Sequence, residues 1–253
     1  MDGTMEAVTT PREVRNLGVR LREYAGLCSS AVGVKLLLEG RGRPPRAERL
    51  GRHRYCQALM LARRGKEVVL DAEGMACPAA AAAFGLRSLP VSLGNGKGLV
   101  GFGIVSDPAV GRRMLEGMTR LEPGVLRYLH LCLLEQAASE PDVVVVEDQV
   151  ERLMWIALAY LQIRGGERVA SSTAVLQATC VDSTIIPYVE RRLNLSYGCY
   201  GCREATDLAP GEAVLGFPAE SLEGVVAHLE YLSQKAIPAS RAKGAWAALQ
   251  AGG

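Results

Sequence analysis

The sequence has little of what marks a nucleic-acid, membrane or histidine-based metal site. Only three histidines occur among 253 residues, and the formal net charge is +2. A charge this small does not favour a nucleic acid or an anionic membrane as partner. The sequence contains no apolar run long enough to span a membrane and no amino-terminal signal pattern. We therefore expect a cytoplasmic protein with no nucleic-acid or membrane partner.

Aromatic residues are also scarce, at 5%, although hydrophobic residues make up 49% of the chain. The core must therefore be built from Ala, Val and Leu, as in proteins with buried strands. Runs typical of strands, such as residues 32–38 and 143–146, alternate with stretches that have helical periodicity. This alternation predicts an α/β or α+β fold in which helices cover the sheets.

Two segments one hundred positions apart resemble each other. Residues 61–69 and 161–169 share Leu, Arg, Gly, Glu and Val at the same five of nine positions. Cys77 follows the first copy and Cys180 follows the second. A repeat of this kind indicates a duplicated structural unit, so we expect two pseudo-symmetric halves.

The repeat predicts the domain organisation. Residues 32–125 form the first half and residues 140–235 the second, and we expect the two to fuse into one compact domain. A helix in residues 1–31 precedes them, and residues 236–253 are predicted to form a flexible tail.

Three local predictions bear on the fold around the site. Residues 99–104 and the segment near Val169 are predicted to be strands. Residues 147–149 are predicted to form a loop, in which Asp148 caps the following helix. The glycine-rich residues 94–98 fit a simple turn better than a phosphate-binding loop.

Cys77 is predicted to lie at a helix start, because Pro78 is typical of the first helical position. The backbone N–H groups and the positive dipole end at such a position favour a thiolate. Since Cys180 holds the corresponding place in the second copy, we expect both cysteines near the interface between the halves.

Cys199 and Cys202 form a Cys-x-x-Cys pair flanked by Gly198 and Gly201. Two thiolates at this spacing can bind one zinc ion, share an iron–sulfur cluster or form a redox disulfide. The glycines leave the turn free to point backbone N–H groups at the sulfurs.

The candidate site contains five of the seven cysteines, and it is predicted to bind a metal or a cluster. Its members are Cys56, Cys77, Cys180, Cys199 and Cys202. Cys202 is either a fifth ligand or an alternative to Cys199. Cys28 and Cys132 lack a matched partner and are predicted to be structural. The histidines have no zinc-ligand spacing, and only His53, close to Cys56, is a weak ligand candidate.

Several short segments resemble the prokaryotic domain-of-unknown-function 169 family. They are Arg54-Tyr-Cys56-Gln57-Ala58, the Cys77 segment, residues 141–145, residues 178–180, and residues 198–203 followed by Gly216-Phe217-Pro218. The resemblance extends from about residue 32 to residue 232. It implies a prokaryotic origin and a cysteine set matching Cys56, Cys77, Cys180 and Cys199, and it brings no established activity.

The leading functional prediction is an iron–sulfur cluster of the 4Fe–4S type, bound by Cys56, Cys77, Cys180 and either Cys199 or Cys202. It would serve electron transfer, redox sensing or a partner enzyme, with a redox protein or a small ligand as partner. All-thiolate sites also suit zinc, so a zinc-stabilised ligand-binding or interaction protein is the alternative. A thiol oxidoreductase using the Cys-x-x-Cys pair is a third possibility. Whether the protein is an enzyme stays open.

Overall fold

The computed structural model describes residues 10–251, in which one mixed sheet of seven strands is covered by helices on both faces. The strands are β1 (Val32–Leu38), β2 (Glu48–Arg49), β3 (Val68–Leu70), β4 (Leu126–Leu133), β5 (Val143–Gln149), β6 (Asn194–Ser196) and β7 (Glu212–Pro218). Their order across the sheet is β2-β3-β4-β1-β5-β7-β6, and all neighbours are antiparallel except β2 and β3. The predicted mixed α and β fold is confirmed.

The α-helices of the described residues are α1 (Pro11–Ala25), α2 (Tyr55–Arg63), α3 (Pro78–Ala83), α4 (Val91–Gly94), α5 (Lys97–Gly101), α6 (Pro108–Glu116), α7 (Val150–Ile163), α8 (Ile186–Glu190), α9 (Tyr200–Ala205), α10 (Leu222–Gln234), α11 (Ala236–Ala242) and α12 (Gly244–Ala251). A π-helix covers Ala178–Ile185, and short 3₁₀ helices cover Leu134–Gln136 and Ala219–Ser221.

The sheet separates two hydrophobic cores. Val143 and Val145 of β5 pack into one core with α2, whereas Val144 and Val146 pack into the other with α7. This alternation follows from the two-residue period of a strand, and it explains why β5 is apolar on both sides. We call the face covered by α2–α6, the π-helix, α8 and α9 the site face. The face covered by α1, α7 and α10 is the opposite face.

The structure does not show the internal duplication predicted from the repeat. In both copies the shared Leu-x-x-Arg-Gly pattern ends a helix, at Gly65 and Gly165, each with a positive φ. Glycine is favoured there because it adopts the left-handed conformation without a Cβ penalty. Beyond this point the first copy enters β3, whereas residues 167–169 form no strand. The shared Leu, Arg and Gly therefore reflect a common way of ending a helix.

The strand predicted at residues 99–104 is wrong, because Lys97–Gly101 forms α5. Gly96 has a left-handed φ of 79° and starts this short helix, and Leu99 is buried on the site face. A short apolar run does not by itself distinguish a strand from a buried helix. The strand predicted near Val169 is also absent from the described residues.

The loop predicted at residues 147–149 is wrong as well, since these residues continue β5 and pair with β7. Asp148 does not cap α7, because the residue before the helix is Gln149. The Asp148 carboxylate instead accepts hydrogen bonds from the backbone N–H groups of Cys28 and Gln149, each at 2.7 Å.

The predicted N-terminal helix corresponds to α1, and residues 1–9 of that prediction lie outside the described residues. The predicted tail contains α11 and α12, and residues 252–253 lie outside the described part. Within residues 10–251, no helix combines the length and the apolarity that crossing a bilayer requires.

Candidate thiol site

The five predicted cysteines line one cavity of about 310 Å³ on the site face. They are Cys56, Cys77, Cys180, Cys199 and Cys202. Cys77 is half-buried, and the other four are buried. Residues from four separate parts of the chain therefore meet at one place, as the sequence predicted for a shared site.

Two of these cysteines lie at helix starts in the first part of the chain. Cys56 is the second residue of α2. Cys77 is the N-cap of α3, and Pro78 is the first residue of that helix, so the predicted cap position is confirmed. Neither thiol accepts a capping hydrogen bond from the backbone N–H groups of its helix.

Cys180 is the third residue of the π-helix, which α8 continues from Ile186. The π-helix follows Gln177, which has a left-handed φ of 55°, and the Cys180 thiol lies 3.5 Å from the Gln177 carbonyl oxygen. π-Helical turns are rare in proteins, and those that occur are often found at functional sites.

Gly216 of β7 allows the π-helix to rest directly on the sheet. A Cβ atom at Gly216 would lie 1.8 Å from the carbonyl oxygen of Ser183. Any other residue would therefore push the π-helix away, and Cys180 with it.

Cys199 and Cys202 form a close pair at the start of α9. Cys199 is the N-cap, and its Sγ lies 3.1 Å from Sγ of Cys202. The backbone N–H of Cys202 donates to Cys199 Sγ at 3.4 Å, and Thr179 Oγ1 lies 3.0 Å from Cys202 Sγ. Gly198 precedes the pair with a φ of 80°, as expected for the turn that the glycines permit.

The cavity favours neutral thiols. Burial raises the pKa of Cys180, and the neighbouring thiols of Cys77, Cys199 and Cys202 raise it further. The Cys202 thiol and burial likewise raise the pKa of Cys199. The Cys199 thiol lowers the pKa of Cys202, but Cys56 and burial outweigh it and raise the value to about 11. A thiolate is therefore stable here only beside a positive charge.

Polar contacts hold α9 against α2. The Arg54 guanidinium donates to the carbonyl oxygen of Gly201 at 3.1 Å and forms an ion pair with Glu204. Gln57 Nε2 donates to the carbonyl oxygen of Ala205 at 3.3 Å. These contacts keep Cys56 and the Cys-x-x-Cys pair on the same cavity.

One wall of the cavity contains no cysteine. Leu93, Leu99 and Ile104 line it, and Phe102 lies at its rim. Sequence reasoning missed this wall because these residues were assigned to a turn and a strand. The sequence shows only that this short glycine-rich segment contains apolar residues. It does not show which part of the protein these residues contact.

The remaining sulfur and imidazole groups lie elsewhere. Cys132 of β4 packs into the core of the opposite face, and Cys28 is exposed. His53 Nδ1 lies 2.8 Å from the carbonyl oxygen of Gly51, and His53 does not line the cavity. Across residues 10–251, no three or more His, Cys, Asp or Glu side chains are already arranged to hold a metal ion.

A buried ion pair that the sequence did not predict lies on the same face. Arg63 Nε is 3.3 Å from Glu147 Oε2, yet neither carboxylate oxygen forms a hydrogen bond with any described residue. Burial raises the pKa of Glu147 to about 7, although Arg63 lowers it, and Asp207 and Glu212 raise it further. The sequence predicted a loop at Glu147, so burial of its side chain was not expected.

Comparison with known proteins supports the resemblance found in the sequence. The profile of the DUF169 family, described as "Uncharacterised ArCR", matches residues 20–228. The uncharacterized protein MJ0308 of Methanocaldococcus jannaschii is 26% identical over 225 residues, which cover 88% of this chain and 96% of that protein. No solved structure matches the chain. The match over most of the chain shows that this protein belongs to the DUF169 family.

Proposed function

We propose that the cavity binds an iron–sulfur cluster of the 4Fe–4S type and that the protein uses it for electron transfer, redox sensing or support of a partner enzyme. The observation that carries the proposal is the meeting of five cysteines around one cavity. Among the described lining residues there is no histidine and no carboxylate. A donor set made only of thiols suits soft metal centres, above all iron–sulfur clusters and zinc.

The residues present fit such a group by their chemistry. Cys56, Cys77 and Cys180 would supply three ligands, and either Cys199 or Cys202 the fourth. The raised pKa values of Cys180, Cys199 and Cys202 mean that metal binding must release protons, so affinity should increase with pH. The ligand set needs side-chain adjustment, since no metal-holding arrangement exists in the described residues.

A bound cluster supplies one-electron transfer. The protein's own part is to hold the thiols and to keep water from them. Burial of the thiols and the apolar wall achieve the second task, because both lower the polarity around the sulfur atoms. All seven cysteines are free, in keeping with a reducing compartment, and we infer a cytoplasmic location.

The decisive experiment is anaerobic purification followed by assay of iron, acid-labile sulfide and zinc per chain, with absorption spectra before and after dithionite. Iron and sulfide in similar amounts, with a broad band near ~400 nm that bleaches, support the proposal. Cys180→Ala should lose the cluster. Cys132→Ala is the matched control, because Cys132 is also buried but packs on the opposite face, and it should retain the cluster.

Zinc alone, at about one per chain, would support the alternative of a zinc-stabilised ligand-binding or interaction protein. Chelation should then lower the melting temperature and leave the protein colourless throughout. Absence of iron and zinc after anaerobic reconstitution would overturn both forms of the metal proposal.

A second candidate is a thiol oxidoreductase using the Cys-x-x-Cys pair. The distance of 3.1 Å between the two sulfurs favours it, because a small movement would allow a disulfide. The raised pKa values of both thiols disfavour it, since an attacking thiol needs thiolate character. Titration with glutathione redox buffers tests it, and a reversible Cys199–Cys202 disulfide in metal-free protein is the result that would support it.

A further inference from the structure

The cavity has an apolar wall beside its cysteines. Leu93 and Leu99 are almost fully buried, yet they face an open volume shared with the thiols. From this arrangement we infer that the cavity also binds a small, uncharged, mainly apolar organic molecule beside the cysteines. The inference rests on the proposed function for the chemistry that the bound molecule would undergo. Binding of the molecule is measured independently of any metal.

The first argument concerns packing. Protein interiors are close-packed, and voids larger than a few water molecules are rare. A space of about 310 Å³ next to buried leucines, open at its mouth, is a cleft and not such a void. The cavity is therefore of a size that fits a ligand, at the lower end of the roughly 300–1,000 Å³ typical of small-molecule sites.

The second argument concerns charge. Arg54 is the only charged side chain among the described residues that line the cavity. Its guanidinium is already engaged by Glu204 and by the carbonyl oxygen of Gly201. A charged ligand would thus be desolvated without a free partner, whereas an apolar one would contact leucine and isoleucine side chains.

The third argument concerns the cavity mouth. Phe102 and Tyr200 both line the cavity, and they are 67% and 64% exposed. They come from different segments, one after α5 and the other at the start of α9. Large exposed apolar side chains at an opening are typical of binding sites, because a ligand can cover them.

The test uses indole as an uncharged probe and indole-3-carboxylate as a charged probe with the same ring. Each is titrated into the full chain carrying ¹³C-labelled Leu and Ile methyl groups, both metal-free and after anaerobic reconstitution. Indole should give saturable shifts at the methyl groups of Leu93, Leu99 and Ile104. Its affinity should be at least about tenfold higher than that of the carboxylate.

Two variants locate the binding. Leu99→Trp fills the cavity and should weaken indole binding at least about tenfold, whereas Leu249→Trp, at an exposed position of α12, should leave it unchanged. Phe102→Ala removes an exposed side chain without threatening the fold, and it should weaken binding by about threefold.

The outcomes separate this inference from the proposed function. Saturable methyl shifts in a protein that takes up no metal would uphold the ligand site and defeat the cluster. A protein that loads the cluster but shows no methyl shifts with indole would defeat the ligand site alone. Equal affinity for the two probes, or equal loss in Leu99→Trp and Leu249→Trp, would also overturn it.

Discussion

The two faces of the sheet are built in different ways. On the opposite face, α1, α7 and α10 have 15, 14 and 13 residues and pack an almost wholly apolar core. On the site face, no α-helix of the described residues exceeds nine residues, and a π-helix takes part. The core there contains four buried cysteines besides the aliphatic side chains.

This difference shows how one sheet serves two purposes. Long regular helices give the opposite face its stability through continuous apolar stripes. Short helices multiply the number of helix ends, and on the site face these ends place cysteines around a cavity. We therefore expect substitutions on the opposite face to change stability and those on the site face to change thiol chemistry.

The largest effect is expected from Ile156→Ala on the opposite face. Ile156 is fully buried in α7, so its truncation should lower the free energy of unfolding by about 2–5 kcal/mol. Urea unfolding measures this loss. Met154→Ala, in the same helix but half-exposed, should change stability by less than about 1 kcal/mol. Faster alkylation of Cys180 by iodoacetamide in folded Ile156→Ala would break the division between the faces.

Gly216→Ala tests whether the contact between β7 and the π-helix positions Cys180. Because its Cβ would overlap the Ser183 carbonyl, we expect a loss of about 1–3 kcal/mol and faster alkylation of Cys180 by iodoacetamide. Gly211→Ala is the control, since a Cβ there meets nothing within 4 Å. If alkylation of Cys180 were unchanged in a destabilised Gly216→Ala protein, the π-helix would not depend on this contact.

Glu147 should make the stability of the site face depend on pH. Its pKa of about 7 in the folded protein lies above the usual 4.5, so the folded state binds more protons between these values. Stability should thus fall as pH rises from about 4.5 to 7, by up to about 1.4 kcal/mol per pH unit. Glu147→Gln should show a shallower decline in urea unfolding at pH 5, 6 and 7, because only Asp182, whose pKa burial raises to about 6, still contributes. Glu167→Gln, an exposed control, should follow the wild type.

The smallest effect on stability is expected from Arg54→Met. Its ion pair with Glu204 is partly exposed, so the loss should be below about 1 kcal/mol. Arg54 also holds α9 in place through the carbonyl oxygen of Gly201. Without this contact, Cys199 and Cys202 should become more reactive to alkylation. Arg191→Met, which removes an exposed pair with Glu220, should leave both thiols unchanged.

Local patterns predicted much of the fold. The strands β1 and β5 and the helix α1 follow from apolar periodicity within each segment. The strand β4, in which Arg127, Tyr128 and His130 interrupt the apolar pattern, was not predicted, and neither was the three-residue β6. These strands owe their form to the neighbours with which they pair, and a single segment does not contain that information.

The candidate site shows the same limit. Cys77 was predicted at a helix start because Pro78 is a local signal. Cys199 and Cys202 were predicted in a glycine-flanked turn, and the helix that begins there, α9, was not predicted. The π-helix packs against Gly216 of a later strand, a contact that no local pattern reveals. The pair of Arg63 and Glu147 joins residues far apart in the chain, and neither side chain reveals its partner in the sequence.

The contacts between α2 and α9 join residues 150 positions apart, as in the pair of Arg54 and Glu204. During synthesis, Cys56 and Cys77 leave the ribosome about a hundred residues before Cys180. At roughly 5–20 residues per second, this interval lasts on the order of ten seconds. Cys56 and Cys77 are therefore exposed to solvent before the other three cysteines and the residues that later bury them have been made. The cavity is complete only after the residues of α9 have been made.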